Sequence, residues 1–418
     1  MAPFNEDYYN HNFTQGLGRL KEIVDLQWNV IENNIHLIAS ACYPFKSVLQ
    51  ALCEPSFVLP AEGMPGSRYL PGAMVMDLVE IEGEKLVLKL FNIQSGYRVS
   101  LQPHSGTQAN QIVYNAVLKQ NDIVLCLNTR DGGHISHTVL ISRKNKTYNY
   151  GLTVDGYIDY ESLRRLALEH NPKLIIVGGS ALPREIDFKT CKNIADECGA
   201  YLHADISHTA TFIAAGVHSN AFPYCDFATF NTVKNLRGPN GGVLIYREEF
   251  LKSISSSIFP CTQGGANETN MLGKYACFLE WTKDSIENYA QEITNKSKLL
   301  GTILQNYGIR LTSGGTDCHI LLLELYNYPR TGAGYEKKFE SLRVLLNKNL
   351  IPNDKRSPTT TSGIRIGTTN LAILEYEDDD IAMLGHWIAN VILTDFGDAS
   401  LIDTLTAKYN KKFSRNTY

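Results

Sequence analysis

The chain has 418 residues, 44% of them hydrophobic and 20% charged, with a formal net charge of −4. At roughly 100–200 residues per domain this is the composition of a water-soluble globular protein of two or three domains. The mild negative charge gives no electrostatic reason to expect nucleic acid or an anionic membrane as partner.

In chain order, the first segment, MAPFNEDYYNHNF, is polar and carries acids early, so it reads as neither a secretory signal nor a transit peptide. Residues 13–58 read as helices joined by a loop, an arm that packs on something else. From Gly106 to about Tyr246, short apolar runs alternate with amphipathic ones. The run Ile123 to Leu127 comes first. Tyr160 to His170 predicts a helix, Lys173 to Val177 a buried strand, and Phe188 to Cys198 another helix. Tyr201 to Ala204, Phe227 to Phe230 and Val243 to Tyr246 predict further short strands. Such alternation predicts an α/β fold with a mostly parallel sheet covered on both faces. After about Trp281 the texture changes. A long helix over Lys283 to Tyr307 leads to strands near Ile309 to Leu311 and Ile320 to Leu323. A helix over Gly334 to Leu346, a strand over Gly363 to Gly367 and a helix over Glu377 to Leu393 follow, as in a smaller C-terminal α+β domain. No apolar run approaches the ~20 residues of a membrane span. The nine cysteines are odd in number and contain no CxxC pair. They argue against a disulfide framework or a zinc site and fit a cytoplasmic chain.

Open parallel sheets bind ligands beyond the carboxyl ends of their strands, so polar residues after predicted strands carry the search for chemistry. Gln102 to Asn110 (QPHSGTQAN) places Ser105, Gly106 and Thr107 before an apolar-periodic helix, where they serve as a cap or an anion site. Tyr201 to His208 ends a strand on Asp205, a residue that suits a turn or a protonated ring nitrogen. Lys234 lies 29 residues later, between a strand and Arg237-Gly-Pro-Asn-Gly-Gly242. One lysine among 39 basic residues is ordinarily a surface group. An enclosed one with a neutral amine forms a Schiff base. Arg365 sits inside a β-branched strand and needs an anionic partner: an internal acid or a substrate carboxylate held bidentately. His134 and His137 are spaced as ligands, but no cysteine or carboxylate array accompanies them, and HExxH, GxGxxG and P-loop motifs are absent, so no metal is expected.

Together these stretches, with DGGHISH at Asp131–His137, SALPREIDF at Ser180–Phe188, Gln263-Gly264-Gly265 and PNDKRSPTTTSGIRIG at Pro352–Gly367, resemble the serine hydroxymethyltransferase family of fold-type I enzymes that use pyridoxal 5′-phosphate (PLP). The resemblance implies an N-terminal arm (1–45), a large PLP-binding domain (46–280) and a small C-terminal domain (281–418). It implies that Lys234 carries the cofactor, Asp205 pairs with the pyridine nitrogen, His134 stacks on the ring, and Ser180 with His208 contacts the ring oxygen. Ser105, Gly106 and Thr107 hold the phosphate, joined by Gly264 and Gly265 of a neighbouring subunit, which implies a homodimer or a tetramer. Arg365 binds the amino acid carboxylate. Ser40, Glu62 and Tyr69 line the substrate site, with Glu62 the proton-transfer group, and Asn349 lies where the family contacts the pterin of tetrahydrofolate.

The sequence departs from the family pattern at Pro60 and Leu70, where tyrosines are usual, at Ala41 and Cys42, at Val233, and at Ala266-Asn267-Glu268-Thr269. The expected reaction is serine–glycine interconversion with hydroxymethyl transfer to tetrahydrofolate. The alternative is a folate-independent aldolase or L-threonine transaldolase making a β-hydroxy amino acid. A non-catalytic scaffold would have no physical need for Lys234, Asp205, His134 and Arg365 together.

Overall fold

A computed structural model describes residues 17–415 and 417. The polar N-terminal segment read above, and residues 13–16 of the helical arm, lie outside the described residues.

Apolar strand runs collect into a seven-stranded sheet in the order Tyr97–Ser100, Gly242–Arg247, Phe227–Asn231, Tyr201–Asp205, Leu174–Val177, Ile123–Leu127, Lys146–Tyr150. The contacts from Lys146–Tyr150 through Phe227–Asn231 are all parallel. Gly242–Arg247 runs antiparallel to both its neighbours. Central strands such as Leu174–Val177 are buried throughout, which is why they read as continuous apolar runs rather than alternating ones. Helices Tyr160–His170 and Phe188–Cys198 begin on Asp159 and Asp187, whose side chains accept from Ser162 and Thr190 backbone N–H groups. They pack on each other across one face of the sheet, and Gly106–Val117 packs against Phe227–Asn231 and Gly242–Arg247.

A second, four-stranded antiparallel sheet has the order Arg310–Leu311, Ile320–Glu324, Gly363–Gly367, Asn347–Asn349. The long helix Ile286–Asn306 and helix Asp378–Thr394 cover it. Its core gathers Leu300, Leu321, Leu323, Ile364, Ile366, Leu384 and Ile388, and takes in Ile35, Leu37 and Tyr43 from the start of the chain. The separate core under the large sheet runs from Phe45 to Ile286.

One expected helix is shorter than the periodicity suggests. The predicted span Gly334 to Leu346 is a helix over Gly332–Ser341 followed by short strands at Val344–Leu345 and Asn347–Asn349. Arg343 takes φ 63° and breaks the helix. Val344 and Leu345 then pair in parallel with Ile35 and His36, a long-range partner that local periodicity does not register.

Candidate active site

The carboxyl ends of four parallel strands converge on one cavity. It is lined by Gly106, Thr107, His134, Gly179, Ser180, Asp205, Ser207, His208, Asn231 and Lys234. Seven of the expected cofactor residues, Gly106, Thr107, His134, Ser180, Asp205, His208 and Lys234, reach it by simple devices. Asp205 is the last residue of its strand, and His208 follows on the turn. Lys234 lies just beyond Asn231, the end of the next strand. His134 is delivered by the turn after Leu127, where a Cβ on Gly133 would stand 2.1 Å from the Leu127 carbonyl oxygen. Ser180 follows Gly178, whose φ of 125° and close approach to the Asp205 backbone exclude a side chain. Ser105 caps helix Gly106–Val117, its hydroxyl accepting from the Gln108 N–H at 3.1 Å. That leaves the free N–H groups of the first turn facing the cavity through Gly106 and Thr107.

Asp205 is 9% exposed and is held as an anion. Burial works against its charge. The hydrogen bond from His137 Nε2 (3.0 Å) and the positive field of Lys234 prevail and keep its carboxyl well below the usual range. Asn110 Nδ2 donates to the same oxygen at 2.9 Å, and the Ser207 N–H donates to the other at 3.1 Å. A carboxylate accepts about four hydrogen bonds, so Asp205 keeps capacity for one more donor. Burial lowers the Lys234 amine to about 8; Asp205 pulls it back up and Arg365 pushes it further down. Burial likewise lowers His134 to about 4, and its Nδ1 lies 2.7 Å from the Ser136 hydroxyl. A lysine that gives up its proton readily, an ionised acid with spare capacity and an open helix N-terminus suit an aldehyde cofactor with a pyridine ring and a phosphate.

Arg365 is 8% exposed and directly opposite Asn347 in the small sheet. Its Nε donates to Asn347 Oδ1 at 3.2 Å and its Nη1 to the Ser180 carbonyl. Both are neutral acceptors. Burial alone lowers the guanidinium to about 10, with no acid offsetting it. The internal-acid explanation for Arg365 is therefore excluded among the described residues, and the charge is unmatched. Asn349 lines an adjoining cleft with Thr129, Gly133, Asn347 and Ser180, the last shared with the cavity. Ser40 lies beside the Lys234 turn: the Ala39 carbonyl faces His319, and Cys42 donates to the Val233 carbonyl at 3.2 Å.

Other expected residues group elsewhere. Glu62, Tyr69, Gly264 and Gly265 do not line the cavity. Glu62 and Gly265 adjoin, since a Cβ on Gly265 would stand 3.8 Å from Glu62 Cγ. The segment is pinned by Arg68, which donates to the Gly63 carbonyl at 2.6 Å and pairs with Asp77 and Glu80. Tyr69 is 71% exposed.

Several contacts that shape the site were missed in the sequence. His137 and Asn110 brace Asp205, and both lie inside stretches singled out above. Asn347 lies just past the overlong helix, in a short strand that the sequence reading did not register. His319 gave no signal, because a histidine in an apolar run reads as core. The carboxylate that His134 and His137 lacked in sequence is Asp205: the three offer ligand atoms within 4.8 Å of one another. As placed, the cluster is a His137–Asp205 hydrogen bond with His134 beside it.

Among the described residues no helix is long and apolar enough to cross a membrane, and all nine cysteines are free. The family model described as serine hydroxymethyltransferase matches residues 18–388.

Proposed function

The chain belongs to the serine hydroxymethyltransferase family and is a PLP enzyme of the transferase and aldolase type, and from that premise we propose that it interconverts L-serine and glycine, with transfer of the hydroxymethyl group to tetrahydrofolate. The observation that carries the proposal is Arg365, a buried cation without an acid, beside a cleft that shares Ser180 with the Lys234 cavity. It supports a site for an amino acid carboxylate with room for a second substrate alongside.

In this reading Lys234 carries PLP, Asp205 holds the pyridine nitrogen protonated, and His134 lies against the ring. Ser180 and His208 face the ring oxygen. Ser105, Gly106 and Thr107 take the phosphate, with Gly264 and Gly265 of a second copy. When bound, PLP supplies an electron sink for cleavage of the Cα–Cβ bond. Arg365 orients the substrate by a bidentate grip on its carboxylate. Ser40 and Tyr69 line the substrate site, Glu62 moves the proton at the hydroxymethyl group, and Asn349 contacts the pterin. The chain divides at 1–45, 46–280 and 281–418, acts in the cytoplasm as a homodimer or tetramer, and uses no metal.

The test is cleavage of serine and of threonine by the holoenzyme, with and without tetrahydrofolate. The proposal expects serine cleavage that tetrahydrofolate accelerates, and Glu62→Gln to suppress that acceleration. Acetaldehyde release from threonine with no folate effect would replace it with the transaldolase reading.

A further inference from the structure

We infer that His319 is a positioning residue that sets the tautomer of His208, so that the Nε2–H of His208 is a fixed donor into the Lys234 cavity. The cofactor consequence rests on the reading proposed above; the tautomer itself does not.

Asn235 adjoins Lys234 in the chain. Its Nδ2 lies 2.9 Å from the His208 carbonyl oxygen, a group that only accepts, so this end of the amide is the donor. The other end, Oδ1, accepts from the Thr369 hydroxyl at 3.1 Å. The second Nδ2 hydrogen points to His319 Nδ1 at 3.1 Å. His319 Nδ1 is therefore an acceptor. The ring is fully buried and burial lowers it to about 3, so it is neutral and its single proton sits on Nε2. That Nε2–H lies 3.1 Å from the Ala39 carbonyl and 3.2 Å from His208 Nδ1. A proton on His208 Nδ1 would set two donors against each other, so His208 Nδ1 is bare. The groups acting on His208 are Lys234, Arg365, His319 and Asp205. Burial and the three basic groups hold it well below its usual range against Asp205. A neutral ring with a bare Nδ1 carries its proton on Nε2, and His208 lines the cavity.

The orientation is enforced by packing. The His208 and His319 planes lie 11° apart, and Phe212 lies against His319 at 13° and against His218 at 25°. Rotation of His319 would disturb this row of rings and leave one buried N–H of Asn235 without an acceptor.

The consequence for the cofactor is electrostatic. A fixed Nε2–H donor facing the ring oxygen favours that oxygen as an anion. The experiment has two arms. In cofactor-free protein labelled with 15N-histidine, two-bond 1H–15N spectra report each ring's tautomer. We expect His208 as the Nε2–H form throughout about pH 6 to about pH 8. His319→Gln, whose side-chain amide can donate to the same place, should keep it; His319→Phe should give a mixture. An Nδ1–H form in the unsubstituted protein, or an unchanged tautomer in a folded His319→Phe, overturns the inference. In the holoenzyme, the pH titration of the visible band should move up by about one unit in His319→Phe and return in His319→Gln. A changed tautomer with an unmoved visible titration would uphold the role of His319 and defeat the cofactor reading of the cavity.

Discussion

The Lys234 cavity and the segment around Glu62 differ in how completely one chain builds them. Around Asp205 each carboxylate oxygen has a donor, the bracing rings are buried, and Lys234, Asp205 and His208 all face one space. Around Glu62 the backbone is pinned by Arg68, yet Tyr69 faces outward. The neighbouring surface carries Phe57, Val58, Leu70, Met74, Val75 and Leu78, all exposed. Exposed apolar side chains gathered on one face mark an interaction surface when they adjoin, and Met74 and Leu78 lie one turn apart on helix Met74–Leu90. Within one chain, then, the groups that face Lys234 are already braced, whereas Glu62, Tyr69, Gly264 and Gly265 stand apart from that cavity.

If the cavity is self-sufficient, its deepest electrostatic element should matter most. Asp205→Asn keeps the shape but removes the charge that opposes Lys234; turnover should fall by about 10³-fold with cofactor still bound, measured by kcat and by visible absorbance. A loss below tenfold would break the first half of the comparison. Arg365→Lys replaces a planar fork by a point charge. It should lower kcat/KM for the amino acid by about 10²-fold, chiefly through KM, and leave the cofactor spectrum intact. The second half is sharpened by Met74→Asp with Leu78→Asp on the exposed face of helix Met74–Leu90. Self-association by sedimentation should weaken at least about tenfold. Activity should fall with it, while Lys234 keeps its cofactor.

The smallest effect is on pH. The Lys234 amine is protonated below about 8 and neutral above it. Only the neutral amine attacks an aldehyde. The rate at which cofactor-free protein takes up PLP should therefore fall about tenfold per unit below that midpoint and level off above it. A rate still climbing tenfold per unit well above about pH 8 would show an amine less enclosed than its burial implies.

The sequence made the two regions legible to different degrees. The helices Tyr160–His170 and Phe188–Cys198 and the strand Gly363–Gly367 match their predicted spans residue for residue, because caps, apolar periodicity and flanking glycines all agree there. The placement of Asp205 at one strand end and of Lys234 just past another was legible because strand ends are marked by abrupt polarity. The strand Tyr97–Ser100 was not: it pairs at the sheet edge with a half-buried pattern, and its partner Gly242–Arg247 lies far along the chain. His137, Asn110 and His319 act by bracing other side chains, a role that depends on three-dimensional neighbours rather than on spacing. The grouping of Glu62 with Gly265 instead of with Lys234 was equally invisible, since it follows from how distant loops meet.

Every cofactor role proposed above depends on Lys234 as the residue that carries the cofactor. Borohydride reduction of the purified holoenzyme, followed by digestion and mass spectrometry, locates the bound pyridoxyl group directly. The account predicts a single modified peptide spanning Asn231 to Arg237 with the mass added at Lys234; modification at another lysine, such as the buried Lys274, or none at all, would contradict it.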